Sequence, residues 1–281
     1  MSADPPRKPI KDASTVIVLR ETGAGIETFM LCRHQQSGFR GGAHVFPGGK
    51  VDPSDSAPGW IGRVDRESEA LSQSLGEADS ESGLGLLIAA VRETFEEAGV
   101  LLASTAPNAD LSQARAQVHE GGSFLELASQ IDMKIDSTAL TPYARWITPK
   151  MESHRFDTRF YIALLPEGQR ASHDGSETTS ALWLRPASAI DQMLAGRIKL
   201  APPTVRTLQW LADFGDAQAA ITDALSRKPP LVRPRIVSGD AGWFLALPGD
   251  PEHPEDDPVL PGGTRMVFDN GAWRDAPSPV R

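Results

Sequence analysis

Three carboxylates and one guanidinium are concentrated in a short segment of the chain, at Arg92, Glu93, Glu96 and Glu97. In a helix, residues three and four positions apart lie on the same face, so Glu93, Glu96 and Glu97 would present their carboxylates together. Arg92 can reach Glu96, four positions on, but one guanidinium cannot compensate three like charges held this close. Hard divalent cations prefer such oxygen ligands. The segment therefore indicates a metal site, with a solvated charged helix face as the alternative.

The surrounding sequence favours the metal site over the solvated face. A chance match to R-E-x-x-E-E-x-G in a chain of this length has odds on the order of one in several thousand at average composition. A loop with the sequence Pro47-Gly48-Gly49 precedes it, and a glycine backbone can approach a ligand closely. An acidic site that handles phosphate groups needs bound cations to invert its local charge. We therefore expect a divalent cation here, serving a phosphate-containing ligand.

The charged segment must be positioned by a helix and a neighbouring sheet. Apolar residues at helical spacing predict a helix over Leu84–Ala98, which Gly99 would cap. Two β-prone runs, Thr15–Leu19 and Thr28–Cys32, predict a hairpin. Further strands are predicted at 144–148, 156–165 and 181–184, and further helices at 65–75, 124–131, 186–194, 205–214 and 217–225. We expect a flexible lead over residues 1–13, one catalytic domain over 14–227, and a β-rich appendage or tail over 228–281.

The composition narrows the class of ligand. The formal net charge is −9 and the sequence pI is about 5.2, which disfavours nucleic-acid backbones and anionic membranes as partners. A small-molecule ligand fits better. Cys32 is the only cysteine, so an internal disulfide and a multi-cysteine zinc site are excluded. No run approaches the ~18 apolar residues of a membrane span, and the first residues lack the apolar core of an export signal, so we expect a cytoplasmic protein.

The charged segment and the glycine loop together resemble the signature of the Nudix hydrolases, G-x5-E-x7-R-E-U-x-E-E-x-G-U, where U is a bulky apolar residue. The matching residues are Gly49, Arg92, Glu93, Glu96, Glu97, Gly99 and Val100. Asp55 stands where the signature has its first glutamate, and Thr94 stands at the first apolar position. Residues 56 to 91 occupy the place of the x7 segment, so the motif carries a long insertion. The loop and the helix would still meet in space if the insertion bulges outward.

The interrupted motif resembles one branch of that family, the peroxisomal coenzyme A diphosphatases with an insertion at this place. The resemblance covers roughly residues 14 to 212 and includes 38–39, 43–49 and 155–158. A pattern typical of coenzyme A-cleaving relatives, L-L-T-x-R-[S/A]-x3-R-x3-G-x3-F-P-G-G, is matched in part. Arg33, Gly42 and the run from Phe46 to Gly49 fit it, whereas Gly38 occupies the position of its second arginine.

The resemblance implies a fold and a set of roles. The fold would be an α/β/α sandwich, with the insertion (about 56–83) and the C-terminal extension outside the core. Mg²⁺ or Mn²⁺ would be held by Glu96 and Glu97, with Glu93 as a further ligand or as the residue that orients the attacking water. Arg92 would hold the carboxylates in place. Outside the motif, Glu177 is the candidate for a further ligand or base. The substrate-binding candidates are Arg33, Arg40, Gly48, Gly49, Arg155 and Phe156.

The activity that this resemblance implies is hydrolysis of coenzyme A or an acyl-coenzyme A at the diphosphate, giving 3',5'-ADP and (acyl)phosphopantetheine. Two alternatives stay open: the same chemistry on ADP-ribose, NADH or another nucleoside diphosphate derivative, and a catalytically silent ligand sensor. The presence of all three helix glutamates argues against the sensor, because a protein that had lost catalysis would be expected to have lost some of them. We expect the insertion at the surface, near the mouth of the site. The sequence leaves the oligomeric state open.

Overall fold

A large mixed β-sheet organises the molecule. The computed structural model describes residues 9–34, 41–175, 178–239 and 242–278. The strands of the main sheet are β1 (Lys11–Thr22), β2 (Gly25–Arg33), β3 (Ala43–Val45), β4 (Gly48–Lys50), β5 (Thr141–Ile147), β6 (Phe156–Leu164), β7 (Thr178–Leu184), β8 (Lys199–Leu200) and β9 (Leu231–Val232). Their order is β8-β3-β2-β1-β6-β5-β9, with β4 paired to β1 and β7 paired to β2. A second sheet contains β10 (Arg235–Gly239), β11 (Gly242–Ala246), β12 (Arg265–Asp269) and β13 (Ala272–Asp275).

Both faces of the main sheet are covered, as β1 shows most directly. Val16 and Val18 belong to one buried cluster, whereas Ile17 and Leu19 belong to another on the opposite face. Successive side chains of a strand point to opposite faces, so a continuous apolar run signals burial on both sides. The predicted hairpin is confirmed, because β1 and β2 pair antiparallel. The predicted α/β/α arrangement is confirmed as well.

The helices form the two outer layers. They are α1 (Ser68–Leu75), α2 (Ser82–Ala98), α3 (Leu111–His119), α4 (Phe124–Gln130), α5 (Pro186–Leu194), α6 (Pro202–Leu211) and α7 (Ala217–Leu225). The first four pack on one face and the last three on the other. The predicted helix over Leu84–Ala98 is confirmed as α2, and Gly99 caps it with a φ of 68°. None of the helices in the described ranges has the length and apolar content needed to cross a bilayer.

The insertion belongs to the core, and the expectation that it lies outside was wrong. Trp60, Leu71 and Leu75 are at most 5% exposed and share a cluster with the apolar face of α2. Glu77, also in the insertion, has a side chain that is 6% exposed and forms ion pairs with Arg159 at 2.7 Å and Arg145 at 3.1 Å. The reason is that α1 packs directly on α2 and covers apolar surface that would otherwise face water.

The C-terminal strands also join the core, contrary to the expectation of an extension outside it. Leu245 and Met266 are buried in the same cluster as Val205 and Leu208 of α6. β9 adds to the main sheet by pairing parallel with β5. Among the described residues, the first strand begins at Lys11, three residues before the expected start of the domain at Ser14. The reason is that Lys11 is already in register with Phe156 of β6.

Candidate active site

The glycine loop lies against the charged face of α2. β4 pairs with β1 through Gly48 and Thr15, which brings the loop over the end of the helix. The Gly48 N–H donates a hydrogen bond of 2.9 Å to Oε2 of Glu97. A Cβ atom added to Gly49 would overlap the Glu93 carboxylate. A Cβ atom at Gly48 would instead overlap the backbone of Ser14 and Thr15, so the close approach to the helix requires glycine at 49 and the close approach to β1 requires it at 48.

Arg92 is the centre of an ion-pair network that holds the site together. Its Nε and Nη2 donate to the two carboxylate oxygens of Asp55, at 2.8 and 2.9 Å. Nη1 donates to Glu93 at 2.9 Å and to Glu96 at 3.3 Å, and Nη2 also reaches the Lys50 carbonyl at 2.9 Å. Burial alone would lower the pKa of Arg92, but the hydrogen bond and charge of Asp55, together with the charges of Glu93 and Glu96, raise it. The guanidinium is thus permanently charged and fixes three carboxylates at once.

The carboxylates carry more negative charge than Arg92 compensates. Burial raises the pKa of Glu93 to about 7; Glu96 and Asp55 add to that shift, and Arg92 opposes it. Burial also raises the pKa of Glu96. A raised carboxyl pKa means that the ionised form lacks a compensating cation or hydration. The expectation that one arginine cannot satisfy the cluster agrees with these shifts.

These residues line a single open cavity of about 530 Å³. Its lining includes Ala13, Thr15, Arg33, Gly48, Gly49, Lys50, Asp52, Arg92, Glu93, Glu96, Glu97, Val118, His119, Phe156, Thr158 and Asp174. The volume lies in the range of pockets that bind small-molecule ligands. The cavity is strongly charged, with carboxylates on α2 and the cationic Arg33 and Lys50 on the strands. This arrangement suits a ligand that carries phosphate groups together with a metal ion.

The donor set fits a divalent cation in chemical type. Carboxylate oxygens are the preferred ligands of Mg²⁺ and Mn²⁺, and the three helix glutamates line one cavity. Within the described ranges, no three His, Cys, Asp or Glu side chains are already gathered around one point as a metal-binding group. Two of the glutamates are turned towards Arg92, and Glu97 towards Gly48. Each carboxylate has two oxygens, so a bound cation would share these groups with Arg92 and Gly48.

The structure brings together most of the other predicted site residues. Arg33, at the end of β2, lines the cavity, and its Nε is buried with no hydrogen-bond partner among the described residues. Phe156 also lines the cavity. Arg155 does not, because neighbouring residues of an extended chain face opposite sides and Phe156 takes the side of the cavity. Glu177 and Arg40 lie outside the described residues, so their predicted roles stay predictions.

Several cavity residues escaped the sequence analysis. Lys50 follows Gly49 directly, so its position in the sequence could have predicted that it lies beside the loop. Asp174 begins the turn in which Glu177 was chosen, and its Oδ1 accepts hydrogen bonds from the Thr178 backbone at 3.0 Å and hydroxyl at 2.6 Å. His119 ends α3, a helix that was not predicted, so no pattern pointed to it.

Comparisons with known proteins agree with this geometry. The family model described as the NUDT19 Nudix domain matches residues 76–211. The acyl-coenzyme A diphosphatase NUDT19 of Gallus gallus is 30% identical, over 82% of this chain and 73% of that protein. The protein of the same name from Xenopus laevis is 28% identical, over 92% of this chain and 84% of that protein. The crystal structure of a NUDIX hydrolase from Alicyclobacillus acidocaldarius superposes with a TM-score of 0.65 at 27% identity, covering 76% of this chain and 96% of the other. The chain therefore belongs to the NUDT19 family of Nudix hydrolases.

Proposed function

We propose that this enzyme hydrolyses the diphosphate linkage of coenzyme A or an acyl-coenzyme A, with Mg²⁺ or Mn²⁺, to give 3',5'-ADP and (acyl)phosphopantetheine. One observation carries the proposal: Glu93, Glu96 and Glu97 line the same cavity as Arg33 and Lys50. The names of the relatives, acyl-coenzyme A diphosphatase NUDT19, supply the substrate class. The small-molecule nucleotide also suits an acidic protein that disfavours polyanionic partners.

The side chains take the roles that the family resemblance implies, and their positions in the cavity are compatible with these roles. Glu96 and Glu97 would hold the metal, and Glu93 would orient the attacking water and take its proton. When bound, a divalent cation neutralises the diphosphate and lowers the pKa of a water molecule. Arg92 keeps the carboxylates in place through Asp55, and the backbone of Gly48 and Gly49 leaves room beside them. The water oxygen forms the new bond to phosphorus while the bridging phosphorus–oxygen bond breaks.

Arg33 is suited to bind a phosphate oxygen of the substrate. Its Nε is a buried donor without a partner among the described residues, which is costly unless a ligand satisfies it. A guanidinium can bind a phosphate through two hydrogen bonds. Lys50, beside the glycine loop, would contribute a second positive charge to the same diphosphate.

A product assay tests the proposal. Purified protein is incubated with coenzyme A, an acyl-coenzyme A, ADP-ribose or NADH, with either metal, and the products are separated by chromatography. We expect 3',5'-ADP and the matching phosphopantetheine from the coenzyme A species. Equal or faster turnover of ADP-ribose would overturn the substrate assignment and leave the Nudix chemistry intact. Binding of these compounds without turnover of any would favour the silent sensor. Cytoplasmic location stays a prediction, which cell fractionation would test.

A further inference from the structure

A second cavity, of about 520 Å³, lies between the main sheet and the C-terminal sheet. Trp146 and Phe160 contribute from β5 and β6, while Ile236 and Leu245 contribute from β10 and β11. Trp243 and Trp273 complete this wall, with their ring centroids 5.6 Å apart. The cavity is therefore formed where the C-terminal sheet faces β5 and β6 of the main sheet. We refer to it as the apolar cavity.

The apolar cavity adjoins the active site. Phe156 and Thr158 line both cavities and form a wall between them. Both residues belong to β6 and are two positions apart, so their side chains lie on the same face of the strand. A substrate whose phosphates lie beside Glu93 and Glu97 could therefore extend into the apolar cavity by passing the ring of Phe156.

The lining chemistry indicates which part of the substrate this compartment takes. Among the described residues that line it, Glu152 is the one charged side chain, and no lysine or arginine is present. The adenosine half of coenzyme A carries a 3'-phosphate, which would need a cation there. An acyl chain is neutral and gains free energy from every methylene that leaves water. The aromatic and aliphatic walls thus match the acyl end rather than the nucleotide end.

We propose that the apolar cavity binds the acyl chain of an acyl-coenzyme A, and that the C-terminal sheet thereby sets the preferred chain length. This inference rests on the proposed function. Phe156 divides the phosphate compartment from the acyl compartment, with the pantetheine arm passing it. The C-terminal sheet forms the outer wall of this acyl site.

The test measures kcat/KM for free coenzyme A and for acyl-coenzyme A esters from acetyl to decanoyl. Each methylene that enters the cavity should raise kcat/KM by about threefold to fourfold, until the cavity is full. Trp243→Ala should lower kcat/KM for the decanoyl ester by about tenfold and leave free coenzyme A within about twofold. Trp243 is 50% exposed, so its removal should not unfold the protein.

Two further variants control the experiment. Leu225→Ala removes an apolar residue that is 68% exposed and does not line the apolar cavity, so it should leave the chain-length dependence intact. Ile236→Trp fills the cavity and should depress turnover of long esters selectively.

Equal kcat/KM across all chain lengths, with normal turnover of coenzyme A, would overturn the acyl site alone. An equal fall in kcat/KM for coenzyme A and for its esters in Trp243→Ala would overturn the acyl site and indicate that the cavity binds the nucleotide instead. No turnover of any coenzyme A species would remove the proposed function as well.

Discussion

Asp55 accepts two hydrogen bonds from the guanidinium of Arg92, at 2.8 and 2.9 Å, although the two residues lie 37 positions apart in the sequence. They stand at the two ends of the insertion, so this ion pair closes the interrupted Nudix motif. Asp55 is 1% exposed, and its Oδ2 also accepts the Asp52 N–H at 2.8 Å. The aspartate that departs from the signature thus has a structural role: it anchors the arginine that contacts Glu93 and Glu96.

Replacing Asp55 with asparagine should destabilise the protein and weaken catalysis together. The change leaves Arg92 buried without its main partner, and breaking a buried pair in this way costs about 3–5 kcal/mol. Asp55→Glu, which restores the residue of the signature, keeps the charge and should retain more stability than Asp55→Asn. Chemical denaturation and turnover of coenzyme A measure the two effects. Identical unfolding free energies for Asp55→Asn and the wild type would remove Asp55 from this role.

Alanine at the two loop glycines should have different consequences. In Gly49→Ala the new methyl overlaps the end of the Glu93 side chain, which can rotate away, so the fold should survive while turnover falls at least about tenfold. In Gly48→Ala the methyl meets the backbone oxygen of Ser14 at a φ of 152°, and neither can move cheaply. That variant should melt several degrees earlier. Thermal melts and initial rates separate the two outcomes, and equal behaviour of the pair would contradict the assignment.

The local sequence determined much of the site, but not how distant segments pack. Glu93, Glu96 and Glu97 were predictable because the period of a helix places them on one face. Asp55 and Arg92 could be identified only by aligning the sequence with the motif. Their bidentate ion pair forms because the loop and the helix meet in the folded protein. The insertion looked polar because Trp60 and Leu71 are separated by charged residues. Their burial depends on the position of α2, which no local pattern reports. The apolar cavity likewise depends on the packing of two sheets.

Trp60 tests whether the insertion belongs to the folded core. It is 1% exposed, its ring centroid lies 5.6 Å from that of Phe124, and its Nε1 donates to the Ser54 carbonyl at 3.0 Å. Trp60→Ala should lower the free energy of unfolding by about 3–5 kcal/mol. The adjacent Ile61 is 69% exposed, so Ile61→Ala is the matched control and should change stability by less than about 0.5 kcal/mol. Similar small changes in the free energy of unfolding for both variants would indicate that the insertion lies at the surface, as the sequence suggested.

The final prediction concerns Glu97, the carboxylate that the glycine loop contacts directly. Glu97→Gln keeps the shape of the side chain and an oxygen that can accept the Gly48 N–H. It removes the charge that a metal ion requires, so turnover at saturating Mg²⁺ should fall at least about a hundredfold.

Without metal, the stability of this variant should change little. Loss of one charge reduces the repulsion among three carboxylates on one helix face, but it also weakens the charge-assisted hydrogen bond to Gly48. These two effects oppose each other, so we expect a net change within about 1 kcal/mol. In the wild type, Mg²⁺ should raise the melting temperature by occupying the site, whereas in Glu97→Gln this increase should be lost. Glu167→Gln, at an exposed turn, is the control and should match the wild type in both rate and metal response. If Glu97→Gln retains near-normal turnover, Glu97 is not a metal ligand; if it loses turnover only because it melts early, its role is structural.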